Sequence, residues 1–361
     1  MFSEIKYIGI TGSAGKTTSK EFLYQILSSK YKVFRSHLNW NNWIGLPFSL
    51  LKMDGDEDFA IFELGMSDPG IGEIDLLTGI LKPDLALILN VFPVHLEFLK
   101  TIENIAIAKS EILNYLSSDS IAFVSGDFDL LVKQANNKIG RIEYFGKTKG
   151  YNKILLGNII RANDVSTFEL EFFGNKTVFK TKLISHAHIE NLFAAIIAAK
   201  HLGMKNLAIQ RILWDFQPLA RRGSIIESKD KIIIDESYNS NPEALKKTLS
   251  WIDIEYKEKK IAVLGDMLEL GMDEKLFHFE VGLFFAKLGF SDLITIGSLA
   301  GEIGKGAKKG GYSFENIHSF SNINEAEEKI RNVSKGKCVM LFKSSRDSGL
   351  NVLVERLYGK K

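Results

Sequence analysis

Residues 8–20 read IGITGSAGKTTSK. An apolar run from Tyr7 to Ile10 stops at Thr11-Gly12, passes through small residues, and resumes at Lys16-Thr17-Thr18 as a helix with the register KEFLYQIL. Strand, glycine loop, helix is the order that a phosphate-binding loop requires. Gly12 and Gly15 let backbone N–H groups approach phosphate oxygens, and the helix N-terminus adds its partial positive charge. Gly12, Ser13, Ala14, Gly15, Lys16, Thr17 and Thr18 are therefore the candidate nucleotide cradle. Lys16 is expected to reach the β- and γ-phosphates, and the Thr17 hydroxyl to complete a Mg²⁺ shell. The strict pattern GxxxxGK[ST] asks for glycine where this chain has Ile10, which points to a particular subfamily of nucleotide site.

Around this loop the bulk properties are those of an ordinary globular chain. With 361 residues there is room for two or three domains, each with its own core. The 46 basic and 44 acidic side chains leave a net charge of +2 spread along the chain, which gives no electrostatic case for nucleic acid. The seven histidines show no zinc-like spacing. A single cysteine, Cys338 in the apolar run KCVMLF, excludes an internal disulfide, fits a reducing compartment and reads as a buried structural thiol. No apolar segment reaches membrane-span length and no signal peptide precedes the first strand, so the expected location is the cytoplasm, without membrane insertion.

Strand-length apolar runs alternate with helical periodicity, which predicts an α/β fold with a mainly parallel sheet. After the loop helix come a short strand at residues 32–35, a polar turn at 39–45 and a helix begun by Pro47. FAIFEL, a helix near 71–78, LALILNV, a helix from 101 to about 116, and strands at 120–125 and 141–145 continue the pattern. From 153 to 183 short period-2 segments, STFELEFF and KTVFKTKL, predict antiparallel hairpins. Helices at 188–202 and 207–214 and a turn at 217–224 follow. A second α/β series then begins: KIIID, a helix from Pro242, KIAVLGD, a helix at 275–287, DLITIG, a helix at 323–333, KCVMLF and a final helix. The restart of alternation predicts two domains with a linker near 224.

Polar residues cluster where these strands end, the place where open α/β sheets hold ligands. Glu63 ends FAIFEL, followed by Gly65 and Ser67, and is a natural Mg²⁺ ligand downstream of a phosphate loop. Asn90 ends LALILNV, with His95 beyond it. By periodicity alone Lys109 is a lysine on a helix face. DESYNSNP, residues 235–242, brings two carboxylates, a tyrosine and two asparagines to one loop, although Asn241-Pro242 also suits a helix cap. Arg221-Arg222 before it supplies guanidinium groups suited to phosphate. GDMLELG at 265–271 and KSSR at 343–346 are further strand-end loops.

Taken together, TGSAGKTTSKE, NWNNWIGLPFSLL, ELGMSDPGIGEI, NVFPVHLEFLKTIENIAIAKSEI, DESYNSNPEAL, GDMLELG and KSSRDSGL resemble the Mur ligases, in that family's order and over essentially the whole chain. The family uses TGxxGKT[TS], which accounts for Ile10. The resemblance implies a phosphate-loop ATP-binding central domain over residues 1–224, with a mainly parallel sheet and a small antiparallel region, and a Rossmann-like α/β C-terminal domain over 225–361. It implies an ATP-dependent amide ligase that joins D-alanyl-D-alanine to UDP-MurNAc-tripeptide through an acyl phosphate, with two Mg²⁺ ions. Lys109 falls on the lysine that the family carbamylates, and Glu63 and His95 on its metal-binding residues. Arg222 matches the arginine at the ATP phosphates, Glu236 the carboxylate at the ribose, where aspartate is usual, and Asn191 the adenine-side asparagine. Lys16, Lys109, His95 and Arg222 are thereby the candidate catalytic residues. Asn41, Asn42, Tyr238, Asn239, Asn241, Lys343 and Arg346 are the candidate substrate contacts.

The chain departs from the family pattern at Ala187, where a histidine is usual, at Ser344 for glycine in KSSR, and at Trp43 for glutamate in NNWIG. The family carries an N-terminal domain that holds the UDP part of the substrate, whereas about ten residues precede the loop here. A truncated sequence, a protein that works without that domain, and a separate chain that supplies it are the three readings. A monomer is expected. Two functional alternatives stand beside the ligase: a folylpolyglutamate synthetase-like or other amino-acid ligase, and a non-catalytic nucleotide-dependent binding protein.

Overall fold

Lys6–Thr11 forms an interior strand, the third in order of a nine-stranded sheet, and its five residues after Lys6 are buried. We describe this architecture from a computed structural model, which covers residues 4–66, 70–136, 138, 140–162, 165–183, 185–216, 219–228 and 230–359. Ser67 lies outside the described residues. In chain order the strands are β1 Lys6–Thr11, β2 Val33–Arg35, β3 Phe59–Glu63, β4 Leu85–Ile88, β5 Ile121–Ser125, β6 Arg141–Gly146, β7 Ile154–Ala162, β8 Val165–Phe172 and β9 Asn175–Thr181. They lie in the order β2-β3-β1-β4-β5-β6-β7-β8-β9. The first seven strands in that order run parallel, and β7-β8-β9 are antiparallel.

Composition explains the change of texture along the sheet. β3 and β4 are buried at every residue and are almost wholly apolar, as parallel strands covered on both faces must be. β8 alternates buried with half-buried positions, the period of a strand with one wet face. The helix His186–His201 is apolar nearly all round and buries Ile189 and the run from Leu192 to Ala199. Phe22 of the loop helix stacks on Phe216 with ring centroids 4.9 Å apart. The helix expected to run from 101 to about 116 is Ile102–Ser110, capped by the Thr101 hydroxyl and followed by a 3₁₀ turn at Glu111–Leu113.

A second sheet contains β10 Ser224–Ser228, β11 Lys231–Glu236, β12 Lys259–Gly265, β13 Asp292–Ile296, β14 Ile317–Phe320 and β15 Cys338–Lys343. Their order is β10-β11-β15-β12-β13-β14, all parallel except the β10-β11 hairpin. Cys338 is a buried free thiol, and burial raises its pKa. The chain divides into two compact units, residues 1–92 with 98–216 and residues 93–97 with 217–361. Residues just before 224 go with the second unit, where Gly223 N–H donates to Asp235 O at 2.8 Å and continues the β10-β11 ladder.

In the second unit β10, β14 and the helix Ala300–Lys309 escape the sequence pattern. That helix contains Gly301, Gly304 and Gly306, which lower its intrinsic propensity and hide it. Tertiary contact explains Gly306. A Cβ on Gly306 would sit 2.0 Å from Phe279 O, and one on Gly282 of the helix Glu274–Phe285 would sit 2.1 Å from Ile303 O. The two helices pack backbone to backbone.

Candidate active site

The β1-β3 register sets Ile10 beside Glu63, so the strand entering the glycine loop lies next to the strand that ends in a carboxylate. Gly15 caps the following helix in the left-handed region, φ 82°, and a Cβ there would sit 2.0 Å from Asn191 Oδ1. Only glycine lets Asn191 lie against the loop in this conformation. The turn is also held from β4's end: Ala14 N–H donates to Asn90 Oδ1 at 2.8 Å, Asn90 Nδ2 donates to Ala14 O at 3.1 Å, and Ser13 N–H donates to Asn90 O at 3.1 Å. Asn90 is thus the brace of the loop, a role that its strand-end position hinted at and that only these contacts define.

Lys16 Nζ donates to Gly12 O at 2.8 Å, folding over the loop it belongs to. Thr17 Oγ1 donates to Glu63 Oε2 at 2.6 Å, and Asn41 Nδ2 donates to Glu63 Oε1 at 2.8 Å. Thr17, Thr18 and Glu63 are all buried. Asn42 Oδ1 accepts from Gly45 N–H at 2.8 Å and shapes the turn that carries Asn41.

Lys109 is fully buried in the last turn of Ile102–Ser110, and its Nζ has no hydrogen-bond partner among the described residues. Desolvation pushes its pKa well below the ordinary lysine value, and the Lys16 charge pushes it further, against the opposing pull of Glu111, Glu73 and Glu63. An orphaned amine at this depth costs free energy unless something else completes it. Its neighbour Glu111 is engaged, accepting from Gly72 N–H at 2.6 Å and Asp75 N–H at 3.0 Å. Burial raises the Glu111 pKa.

These features fit a nucleotide with a divalent cation. Mg²⁺ typically takes one or two protein ligands and fills its octahedron with phosphates and water. Accordingly, no group of three or more His, Cys, Asp or Glu among the described residues forms a self-sufficient metal site. Thr17 and Glu63 supply such a pair of oxygen donors.

The other predicted residues belong to the second unit. His95 falls in the segment Pro93–Glu97, with a left-handed φ of 54°, and its Nδ1 lies 2.5 Å from Glu269 Oε2. That hydrogen bond holds the Glu269 carboxyl below its usual pKa. The β11-β15 register pairs Glu236 with Lys343 at the two strand ends, and Lys343 Nζ lies 2.7 Å from Glu236 Oε2. Thr248 Oγ1 donates to the same oxygen at 2.9 Å, and Lys343 also reaches Asn239 O at 3.3 Å. The Arg222 guanidinium lies over the Tyr238 ring, 3.8 Å from its centroid. Asn241 Oδ1 accepts from Ala244 N–H at 2.9 Å, capping the helix Pro242–Glu255, so this side chain performs the capping role that the sequence also allowed. Arg346 is exposed.

Lys20 and His278 are buried side chains that carry no functional signal in the sequence. Lys20 lies within the loop motif. His278 joins the strand-end loops, because its Nε2 accepts from Met267 N–H at 2.9 Å. The same loops are tied by Leu268 N–H to Ser345 Oγ at 3.0 Å and Ser345 N–H to Asp266 O at 2.9 Å. No local sequence signal marks a histidine eleven residues beyond the loop whose N–H it accepts.

Comparison with known proteins gives consistent matches along the chain. A family profile described as Mur ligase middle domain matches residues 10–199, and one described as Mur ligase, glutamate ligase domain matches residues 221–346. The UDP-N-acetylmuramoyl-tripeptide–D-alanyl-D-alanine ligase of Bacillus subtilis is 32% identical over 355 residues, 98% of this chain and 76% of that protein. MurF from Acinetobacter baumannii matches with a TM-score of 0.89 at 26% identity, over 99% of this chain and 78% of that one. The MurF ligase of Thermotoga maritima, solved in complex with ADP, matches with a TM-score of 0.86 at 29% identity, over 97% and 78% of the two chains. Among the described residues no helix is long and apolar enough to cross a membrane.

Proposed function

The chain belongs to the Mur ligase family, and from that premise we propose that it is an ATP-dependent, ADP-forming ligase that joins D-alanyl-D-alanine to UDP-MurNAc-tripeptide. The observation that carries this reading is the Glu63 carboxylate shared between Thr17 and Asn41 at the phosphate loop.

The chemical problem is that a carboxylate repels nucleophiles and has no leaving group. Transfer of the γ-phosphoryl from ATP to the C-terminal carboxylate of the tripeptide releases ADP and makes an acyl phosphate. The amine of D-alanyl-D-alanine attacks its carbonyl, and the tetrahedral adduct expels phosphate to leave the amide. Positioning and charge neutralisation do most of this work. The loop N–H groups that Asn90 does not engage, toward Gly15–Thr18, grip the phosphates, and Lys16 turns from Gly12 O to meet them. Thr17 and Glu63 would hold Mg²⁺, which when bound offsets charge on the transferring phosphoryl group.

Burial lowers the Lys109 pKa and so favours its neutral form, which is the form that adds carbon dioxide. A carbamate there would be an anion beside Lys16 and a ligand for a second Mg²⁺. By family correspondence His95 joins the metal-binding set, and Asn191, Arg222 and Glu236 serve the adenine, phosphates and ribose. Asn41, Asn42, Tyr238, Asn239, Asn241, Lys343 and Arg346 remain the substrate contacts of this reading. It places the reaction in the cytoplasm with a monomeric enzyme.

Phosphate release from ATP by the full chain tests the proposal. Release should require both UDP-MurNAc-tripeptide and D-alanyl-D-alanine; turnover indifferent to that pair would reject it.

A further inference from the structure

Lys20 has no exposed surface, yet it is a lysine in the helix Lys16–Ser28, one turn beyond Lys16. Its Nζ donates to Ser36 O and Leu38 O, each at 2.6 Å, and lies 3.4 Å from Glu21 Oε1. An ammonium has three donors, and here three acceptors meet them. Desolvation lowers the Lys20 pKa, while the charges of Glu63 and Glu21 oppose that shift. Glu21 is itself held by Arg35 Nη1 at 2.8 Å.

What Lys20 grips leads directly to Glu63. Ser36 N–H donates to Ile61 O at 2.9 Å, and the Ser36 hydroxyl lies 3.5 Å from the Glu63 N–H. Three residues past Leu38 comes Asn41, whose carbonyl accepts from Gly65 N–H at 2.7 Å while its amide donates to Glu63 Oε1. With Oε1 engaged by Asn41, Oε2 is the oxygen turned to Thr17.

We propose that Lys20 is a positioning residue for the divalent cation: its clamp on the Ser36 and Leu38 carbonyls fixes the segment carrying Asn41, and Asn41 aims the Glu63 carboxylate. This rests on the reading that Thr17 and Glu63 hold Mg²⁺ with ATP. Lys20 touches neither and acts through Asn41.

The test is ATP binding to the full chain, measured calorimetrically with and without Mg²⁺, so that catalysis is not needed. In Lys20→Met the gain in ATP affinity on adding Mg²⁺ should shrink about tenfold, the usual scale for losing an outer-shell partner, while Mg²⁺-free ATP binding stays as in the wild type. Asn41→Ala should reproduce that loss, and the double variant should lose no more than either single one. Lys20→Arg keeps the charge in a differently shaped head group and should lose part of the gain, which covers the case in which Lys20→Met does not fold. An unchanged Mg²⁺ gain in Lys20→Met or Lys20→Arg would overturn the proposal. So would a larger gain, which is what simple removal of a positive charge near Glu63 produces. Additive losses in the double variant would also count against it. A wild-type chain that binds Mg²⁺·ATP but forms no amide would reject the ligase reading alone.

Discussion

The Thr17 hydroxyl donates a 2.6 Å hydrogen bond to Glu63 Oε2, joining residues 46 positions apart at the point where a helix begins and a strand ends. Both side chains are buried, so the pair is a fixed part of the phosphate loop's surroundings rather than a surface contact.

Thr17→Val keeps the side-chain shape but removes the hydroxyl. It should lower kcat for ligation about 100-fold through loss of a cation ligand and of Glu63's partner. Thr17→Ser should retain most of the activity. Steady-state phosphate release checks both; a Thr17→Val enzyme of wild-type rate would remove Thr17 from the metal site.

Lys109→Ala should abolish ligation, with partial recovery on adding a short carboxylic acid that takes the place of the carbamate. Stability should move separately. With its folded pKa depressed, Lys109 binds fewer protons than in the unfolded chain between that pKa and the unfolded value of about 10.4, so its contribution to stability rises with pH across that window. Lys109→Met, carrying no titrating amine, should flatten that rise in denaturant titrations at stepped pH. A Lys109→Met profile parallel to the wild type would contradict this account.

Gly306→Ala would usually favour a helix by about 1 kcal/mol. Here the new methyl would meet Phe279 O at 2.0 Å, so the sign should reverse. A net loss of about 2 kcal/mol is expected from overpacking between the two helices. Urea unfolding measures it; any stabilisation would refute backbone-to-backbone packing.

Burial holds the His278 ring below the ordinary histidine pKa, and its Nε2 is occupied as an acceptor from Met267. The unfolded chain therefore binds more protons below about pH 6.5, and the stability that neutral His278 contributes is lost as pH falls through its lowered folded pKa. His278→Gln can still accept from Met267 and should cost about 1 kcal/mol at pH 7. It should also shallow the acid limb, read as the difference between unfolding free energies at pH 7 and pH 5. An unchanged acid limb would show that another group carries it.

Sequence alone determined the elements whose signals are local. Gly12 and Gly15 between an apolar run and a helical register made the phosphate loop legible, and period-2 alternation marked β8. Strand ends pointed to Glu63, Glu236 and Lys343, because an α/β sheet delivers its strand-end residues to one edge. Tertiary structure decided what depends on partners distant in the chain. Gly306, one of the glycines that weaken Ala300–Lys309 as a helix, is the one that lets it touch Glu274–Phe285, so propensity argues against an element that packing requires. By periodicity Lys109 was one more lysine on a helix face, but the fold buries it as an orphaned amine beside Lys16. Lys20, Asn90 and His278 act through backbone groups of other segments, and those groups come within reach only when the chain is folded.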